Sequence, residues 1–531
     1  MSTRISTPQM FNSNISGYQK GYADAVKTQQ QISSGVRIQT PADDPVGAAR
    51  LLQLEQQSAQ LKQFSNNMTA ATNLLTQEDV LLETAKNVLQ RARELTVRSG
   101  GGSLSDEDRK SNASELDQIT NQLLDIMNSK DASGNYVFAG ANSSIPPFIR
   151  NPDGSVSHQG DQTSLDLQVS ASGALAANDT GWSIFENVTN ASRTQSSLTN
   201  DPATGGQRVY LSQGLVGNTP QYNKNFRDGQ PYTVELLSST QFRILDGAGN
   251  DVTSEASTLA GTFDPTNLDP TKISLRGATF ELDVVLQEGD DKENLDSLLT
   301  GYSFTFGAAV PEISVTRNSS NTSAAQLTSG AVVNQTAYTT QFPSAGAQIR
   351  FTSATDYEVY AQPFRAGSAP IASGSLSGTY PETISFAGTQ LQISAGAAAG
   401  DYFVVQGQSP EAQSVFETIS NLSAVLKTPV TGDPAARLAL RDAVASALSN
   451  LDNGRDQVLA TQSSIGARLN VIETLTTENE SLQINNASNQ SSIRDTDMVE
   501  AISRLLLQQS KLEAAQSSFV RISQLSLFNK M

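Results

Sequence analysis

From Phe11 onward, apolar side chains recur at alternating steps of four and three, through Ile15, Tyr18, Tyr22, Ala25, Ile32 and Val36, with the polar Gln29 in the same row. That spacing keeps a stripe on one helical face and predicts a coiled-coil seam. The segment "SSGVRIQTPADDPVGAAR" breaks the pattern. Gly35 can end the helix, Pro41 sits in the connection, and Asp44 followed by Pro45 fits the N-cap and first position of a second helix. Asp43 and Asp44 are read as groups facing that helix's positive end, not as an acid–base pair. The second helix repeats its apolar residues at heptad spacing through Leu54, Leu61, Met68, Leu75, Leu82 and Leu89, beside a second row of Leu74, Leu81, Val88 and Leu95. Two adjoining rows broaden the face enough for more than one partner helix. After the glycine turn at 100–102, Ser105 and Asp108 resemble a capping box for a third helix bearing Leu116, Ile119, Leu123 and Ile126.

Near residue 131 the period changes. "DASGNYVFAG" reads as a turn and a strand, and short alternating segments between Gly, Asn, Asp and Pro clusters continue to about residue 408. "YTVELLSSTQFRILD", "ISLRGATFELDVVLQ" and "YSFTFGA" are examples. A faint internal repeat relates residues 235–244 to 350–359 and 273–282 to 384–393, which predicts two similar β modules. The polar stretch 316–338 between them reads as a linker. Helical period returns at Ser409 and Pro410, which fit an N-cap and first position. A long seam follows through Val444, Leu448, Leu451, Arg455, Val458, Gln462, Ile465, Leu469 and Ile472. A last helix carries Met498, Ile502, Leu505, Leu512, Phe519 and Ile522 near one face. The predicted fold class is α+β: a terminal helical coiled coil or bundle built from both chain ends, with a mainly β outer region inserted between them. Long amphipathic helices do not stand alone in water, so the two ends should cover each other's stripes.

Composition narrows the function. With 53 acidic against 35 basic residues the formal charge is −18, which disfavours nucleic acid or an anionic membrane surface as partner. The absence of cysteine excludes disulfides, thiol nucleophiles and cysteine metal sites. No apolar run is long enough to span a membrane, and the first residues lack the basic and apolar regions of a cleaved secretory signal. The single histidine, His158, lies in the polar "NPDGSVSHQGDQ" and reads as a solvated loop residue. "DGAGNDVTSE" (246–255) lacks the alternating ligand order of a calcium loop and reads as a hairpin turn. No phosphate loop, nucleophile elbow or zinc helix is present, so no catalytic, metal or cofactor site is expected.

Both helical ends resemble a known family. "RISTPQMF" and "QQISSGVRIQTPADDPVGAA" (30–49) look like the N-terminal region of the flagellin superfamily. "IGARLNVIE" (465–473) and the stretch 489–529 look like its C-terminal counterpart. "ISTPQ" near the start and "LSLFNKM" at the end resemble the hook–filament junction members more than filament flagellins. The resemblance implies a structural, non-enzymatic protein at the distal end of the bacterial hook, exported by the flagellar type III apparatus without a cleaved signal. Implied partners are hook-associated protein 1, flagellin, copies of itself in a ring, and a flagellar export chaperone. Filament flagellin or hook-associated protein 1 are the alternatives within the superfamily, and ligand binding by the outer β region is a more remote one. In that organisation 1–42 with 490–531 form the inner helical pair, disordered before assembly, and 43–140 with 409–489 form the helical bundle. Residues 141–408 form the outer region, split near 316–345. The assembly helices would act through Phe11, Ile15, Tyr18, Tyr22, Ile32, Met498, Ile502, Leu505, Leu512, Phe519 and Ile522. Leu505, Leu512 and Phe519 would meet the chaperone, and Gly35, Pro41, Asp43, Asp44 and Pro45 would form a stiff connection between layers.

Overall fold

The computed structural model describes residues 7–528, apart from 103, 152–153, 204–205, 268, 319–320, 344–345, 363, 366 and 409. Helix α1 (Thr7–Ser34) ends where Gly35 turns left-handed (φ 71°), its N–H donating to the Gln31 carbonyl at 2.9 Å. Helix α2 (Pro45–Ser99) starts at Asp44, whose Oδ1 accepts from the Gly47 N–H at 2.9 Å. Leu61, Met68, Leu75, Leu82 and Leu89 of its heptad row are buried. Helix α3 (Asp106–Met127) opens on the expected capping box between Ser105 and Asp108, and Leu116, Ile119, Leu123 and Ile126 are all buried.

The strand expected within 131–140 does not form. Asp131 turns its carboxylate onto its own loop, accepting from the N–H groups of Ser133 and Asn135 at 2.8 Å, and only a single bridge joins Lys130 to Tyr136. Two short antiparallel hairpins follow, β1 (Phe148–Arg150) with β2 (Val156–His158) and β3 (Asp166–Gln168) with β4 (Ala174–Ala176). His158 is therefore a strand residue, half-buried with its ring edge-on to Phe148, and not a solvated loop side chain; burial lowers its pKa. A π-helical turn, Trp182–Glu186, comes next.

The expected repeat is present as two modules of one strand order. The first contains β5 (Thr194–Asn200), β6 (Val209–Leu211) and β7 (Leu215–Val216). Helix α4 (Thr219–Gln221) then runs through a π-helical turn into α5 (Arg227–Gly229), followed by β8 (Tyr232–Leu236), β9 (Phe242–Leu245) and α6 (Thr253–Ala256). It closes with β10 (Thr271–Leu275), β11 (Ala278–Val284), α7 (Asp296–Leu299) and β12 (Ser303–Ala308). The second contains β13 (Glu312–Arg317), β14 (Leu327–Val332), α8 (Gln335–Gln341), β15 (Ala347–Phe351) and β16 (Asp356–Ala361). It ends with β17 (Ala372–Ser375), β18 (Glu382–Phe386), β19 (Thr389–Ile393) and β20 (Tyr402–Gln408). Strands run β9-β8-β12-β5 and β6-β11-β10 in the first module, against β16-β15-β20-β13 and β14-β19-β18 in the second. In the second, β13 pairs with β14 and merges both halves into one sheet, with β17 added at an edge.

Matching details reach single residues. The tight turns Arg276–Gly277 and Ala387–Gly388 both place two consecutive residues at positive φ, the signature of a type I′ hairpin. The Gly277 carbonyl accepts from the N–H groups of Gly217 and Asn218, and the Gly388 carbonyl from those of Val333 and Asn334. Asn218 and Asn334 then cap the helices that follow them, accepting from Gln221 and Ala337 N–H at 3.1 and 2.9 Å. Each module has its own core, one around Phe226, Tyr232, Phe280 and Phe306, the other around Ile349, Phe351, Phe403 and Val405. The stretch 316–338 is no linker. It supplies the end of β13, all of β14 and the start of α8, and its polar composition reflects a stretch that buries few apolar residues, among them Leu327 of β14 and Ala325 just before it.

The helical return is also later than expected. Helix α9 (Val415–Lys427) is capped by Ser414, and Ser409 lies outside the described residues. Asn190 holds the intervening chain away from helix, its N–H donating to the Glu411 carbonyl at 2.9 Å and its Nδ2 to the Pro410 carbonyl at 3.0 Å. Helices α10 (Pro434–Arg494) and α11 (Met498–Phe528) complete the chain. The "DGAGNDVTSE" turn folds as expected, Asp246 Oδ1 accepting from Ala248 and Asn250 N–H.

Two compact units result. One comprises Met1–Thr76, Asp166–Ala177 and Ile465–Met531; the other comprises Gln77–Leu165 and Asn178–Ser464. In the first, Leu61 and Met68 of α2 are buried along with Ile465 and Ile472 of α10, and Asn479 Nδ2 donates to the Leu61 carbonyl at 2.9 Å. In the second, α3 and α9 pack together, with Asp117 accepting from Ser423 Oγ (2.7 Å) and Lys427 Nζ (2.8 Å). Ser414, besides capping α9, donates to Glu186 Oε1 at 3.2 Å. Burial pushes the Glu186 carboxyl up to about 7; the Ser414 bond opposes this and Glu417 reinforces it.

Two predictions follow from these contacts. A Cβ on Gly388 (φ 78°) would lie 2.4 Å from the Asn334 carbonyl oxygen, so Gly388→Ala should cost at least about 2 kcal/mol in chemical unfolding. The second concerns Glu186, whose folded pKa exceeds its ordinary 4.5. Its contribution to stability is complete below pH 4.5 and is lost as pH rises through about 7. Glu186→Gln, which mimics the protonated form, should match the parent's melting temperature in acid and exceed it at alkaline pH.

Candidate assembly surface

Helices from opposite ends of the chain, α1 and α11, lie antiparallel, with Tyr18 opposite Gln516 and Gly21 opposite Leu512. Gln516 Nε2 donates to Tyr18 Oη at 2.8 Å, and a Cβ on Gly21 would stand 3.2 Å from Leu512 Cδ2. Among the described side chains of these helices, the buried ones are small or polar: Ala25, Thr28 and Gln31 of α1 and Ala501 of α11. The seam is thus rotated by one position from the sequence reading, which put Tyr22 and Gln29 on it. Close approach of the two backbones favours Gly21 and Ala25 and turns the bulkier Tyr22 and Val26 outward, at 58% and 40% exposure.

The expected assembly residues divide accordingly. Ile15, Tyr18, Ile32, Leu505, Leu512 and Phe519 are half-buried, while Tyr22, Met498 and Ile502 are exposed. The side chains of Phe11 and Ile522 lie outside the described residues. Val499, Leu506, Leu507 and Val520 are exposed as well, which gives α11 an apolar surface that its pairing with α1 does not cover. Between the two helices runs a groove of about 560 Å³ lined by Ile15, Gly17, Tyr18, Ala515 and Phe519.

Where the chain leaves α1 and enters α11, two segments are strapped together by backbone bonds. Arg37 N–H donates to the Arg494 carbonyl at 2.7 Å and Thr496 N–H to the Gly35 carbonyl at 2.9 Å, forming a bridge at Val36 and Asp495. Arg37 adds side-chain support, donating through Nη2 to the Ile493 carbonyl at 2.7 Å and through Nη1 to Asp44 Oδ2 at 3.4 Å. Gln31 Nε2 closes on the Arg37 carbonyl at 2.8 Å. Asp43 shapes the turn before α2, accepting from Gln39 and Thr40 N–H and pairing with Lys27 at 2.6 Å. The Lys27 bond, seconded by the Thr40 and Gln39 N–H groups, lowers its pKa to about 2. Pro41 and Pro45 are exposed at the two sides of this turn. The sequence reading missed Arg37, Lys27 and Gln31. The spacing of Gly17, Gly21 and Ala25 by four was the available signal for the tight contact.

Residues 5–143 match the family described as the bacterial flagellin N-terminal helical region. This N-terminal stretch is thus similar to a flagellin-type helical region. Flagellar hook-associated protein 3 of Salmonella typhimurium is 36% identical over 186 residues, covering 35% of this chain and 58% of that protein. The Escherichia coli K12 protein of the same name is 34% identical over the same shares. The flagellar filament 41 kDa core protein of Borreliella burgdorferi is 32% identical over 158 residues, 28% of this chain and 46% of its own length. The chain thus spans 58% of the length of the first two relatives. A crystal structure of hook-associated protein 3 from Legionella pneumophila aligns over 83% of this chain and 98% of its own, at 21% identity and a TM-score of 0.47. The recognition of the flagellin-like region, with hook-associated protein 3 as the member resembled, is borne out. The α+β fold class is likewise observed, with the long helices at both chain ends as its helical part. Among the described residues no helix is long and apolar enough to cross a membrane.

The strap between the two chain ends is open to test. Arg37→Ala removes two side-chain bonds and should cost about 1 kcal/mol, given the partial exposure of this arginine. Limited digestion with subtilisin should then cut within residues 35–44 faster than in the parent, with cleavage elsewhere unchanged.

Proposed function

We propose that this chain is a structural junction component of the bacterial flagellum, without catalytic activity, joining the hook to the flagellin filament. On this reading it sits on hook-associated protein 1 outside the cell, forms a ring with copies of itself, and presents the surface on which flagellin begins to add. Residues 1–42 with 490–531 would be the inner layer, 43–140 with 409–489 the second layer, and 141–408 the outward region. The observation that carries the reading is the incompletely covered α1–α11 pair, with Tyr22, Ile502, Leu506 and Leu507 between 46% and 60% exposed in a single chain. Burying such side chains against neighbours contributes about 1.5–3 kcal/mol each, enough to couple ordering of the terminal helices to assembly. Similarity to hook-associated protein 3 supports the same reading.

The route to the site follows from that apolar surface. An exported chain whose α11 stripe lacks cover needs a chaperone in the cytoplasm, and Leu505, Leu512 and Phe519 are the proposed contact while α1 is undocked. Gly35, Pro41, Asp43, Asp44 and Pro45 would form the stiff turn between inner and second layers.

Deleting the gene in its motile host tests the proposal. Bare hooks with flagellin lost to the medium are expected, restored by the parent gene but not by a variant carrying Ile502→Asp and Leu506→Asp. Intact filaments after deletion would overturn the junction role.

A further inference from the structure

The larger unit holds a polar cleft of about 680 Å³ that the junction reading does not use. One wall is the π-helical turn Trp182–Glu186, another is the first part of α9, and β20 contributes Gln406. Behind its lining residues Asn190 and Gln413, the amides satisfy one another. Asn450 Nδ2 donates to Gln413 Oε1 (2.6 Å) and Asn190 Oδ1 (3.1 Å), while its own Oδ1 accepts from the Ala191 N–H (2.6 Å). Amides at the rim differ. Gln162, Asn187, Gln406 and Asn421 are exposed, and among the described residues their side chains have no hydrogen-bond partner.

Each of those amides offers a paired donor and acceptor. Beside them the half-buried indole of Trp182 supplies a flat apolar face with a single N–H at its edge, and two carboxyl groups, Glu186, held by Ser414, and Glu417, line the same cleft. No Lys, Arg or His lines the cleft among the described residues, which disfavours phosphorylated or sulfated ligands. The abundance of amides disfavours an apolar ligand, whose binding would strip them of water without replacement. A ligand carrying alternating C–H faces and hydroxyls matches the indole and the amides, and its hydroxyls can donate to the Glu186 and Glu417 carboxyl groups. The volume lies in the range of sites that enclose small organic ligands.

We propose that this cleft binds a neutral oligosaccharide, with one sugar ring stacked on Trp182 and its hydroxyls hydrogen-bonded by the rim amides. The inference is independent of the junction role and would survive its failure.

Trp182 is the chain's single tryptophan, so fluorescence excited at the red edge, where the 12 tyrosines do not absorb, reports on this cleft alone. The full-length protein should be titrated with chitotetraose (N-acetylated), maltotetraose and mannotetraose, with putrescine as a cationic control. Expected is a saturable change in intensity or emission maximum with at least one tetrasaccharide. The double variant N187A/N421A, exposed substitutions that should leave the far-ultraviolet circular dichroism and melting temperature unchanged, should weaken it about tenfold or more. Calorimetry on Trp182→Ala should show the same loss without relying on the indole signal. No saturable response to any of the three sugars, unchanged binding in the folded double variant, or a response to putrescine alone would overturn the proposal.

Discussion

The structure at the two ends of the chain depends on a short strap of backbone, residues 35–37 laid against 494–496, which fixes where the first helix stops and the last begins. Backbone bonds of this kind are indifferent to side-chain identity, and their precision comes from the residues around them. Gly35 alone accepts the left-handed turn without strain, and Arg37 ties the segment to the end of α10 and to the cap of α2 at once. With the strap in place, α1 and α11 are committed to antiparallel contact. The contact is close, so the small residues face inward and the large apolar ones face out. An outward apolar surface on paired terminal helices is costly for a free monomer and useful for a subunit that is finished by its neighbours.

Most of the helical architecture was legible because it rests on local rules. The heptad row from Leu61 to Leu89, the Asp44–Pro45 start and the Ser105–Asp108 capping box each combine a period with a punctuation residue, and each folds as its chemistry dictates. Errors arose where a tertiary contact overrode the period. Tyr22 satisfies a four-three seam but is too large for the α1–α11 interface, and Asn190 keeps 410–412 out of the helix that Pro410 otherwise suits. Arg37 could not have been singled out, since its partners at 493 and 494 are joined to it only by the fold.

The β region illustrates a different limit. One repeated hairpin was visible in sequence because its tight turn, Arg276–Gly277 in the first module and Ala387–Gly388 in the second, keeps a glycine at its second positive-φ position. Strands that bury one face thinly left almost no trace, and 316–338 consequently read as a linker. Duplicate modules of the same strand order have nonetheless diverged at the sheet level, since one remains two sheets and the other fuses into one. The cleft beside Trp182 was invisible for a plainer reason: its amides come from four separate stretches and mean nothing until the fold gathers them.

On the proposed function, neighbouring subunits complete the exposed face of the terminal helices. The absence of native cysteine makes a direct measurement possible. Tyr22→Cys and Ile502→Cys variants, introduced singly into motile cells, can be probed with a maleimide dye in the purified monomer and in intact isolated flagella. Completion by neighbours predicts rapid labelling of the monomer, protection in the flagellum, and subunit-to-subunit cross-links with a short bismaleimide. Equal labelling in both states would contradict it.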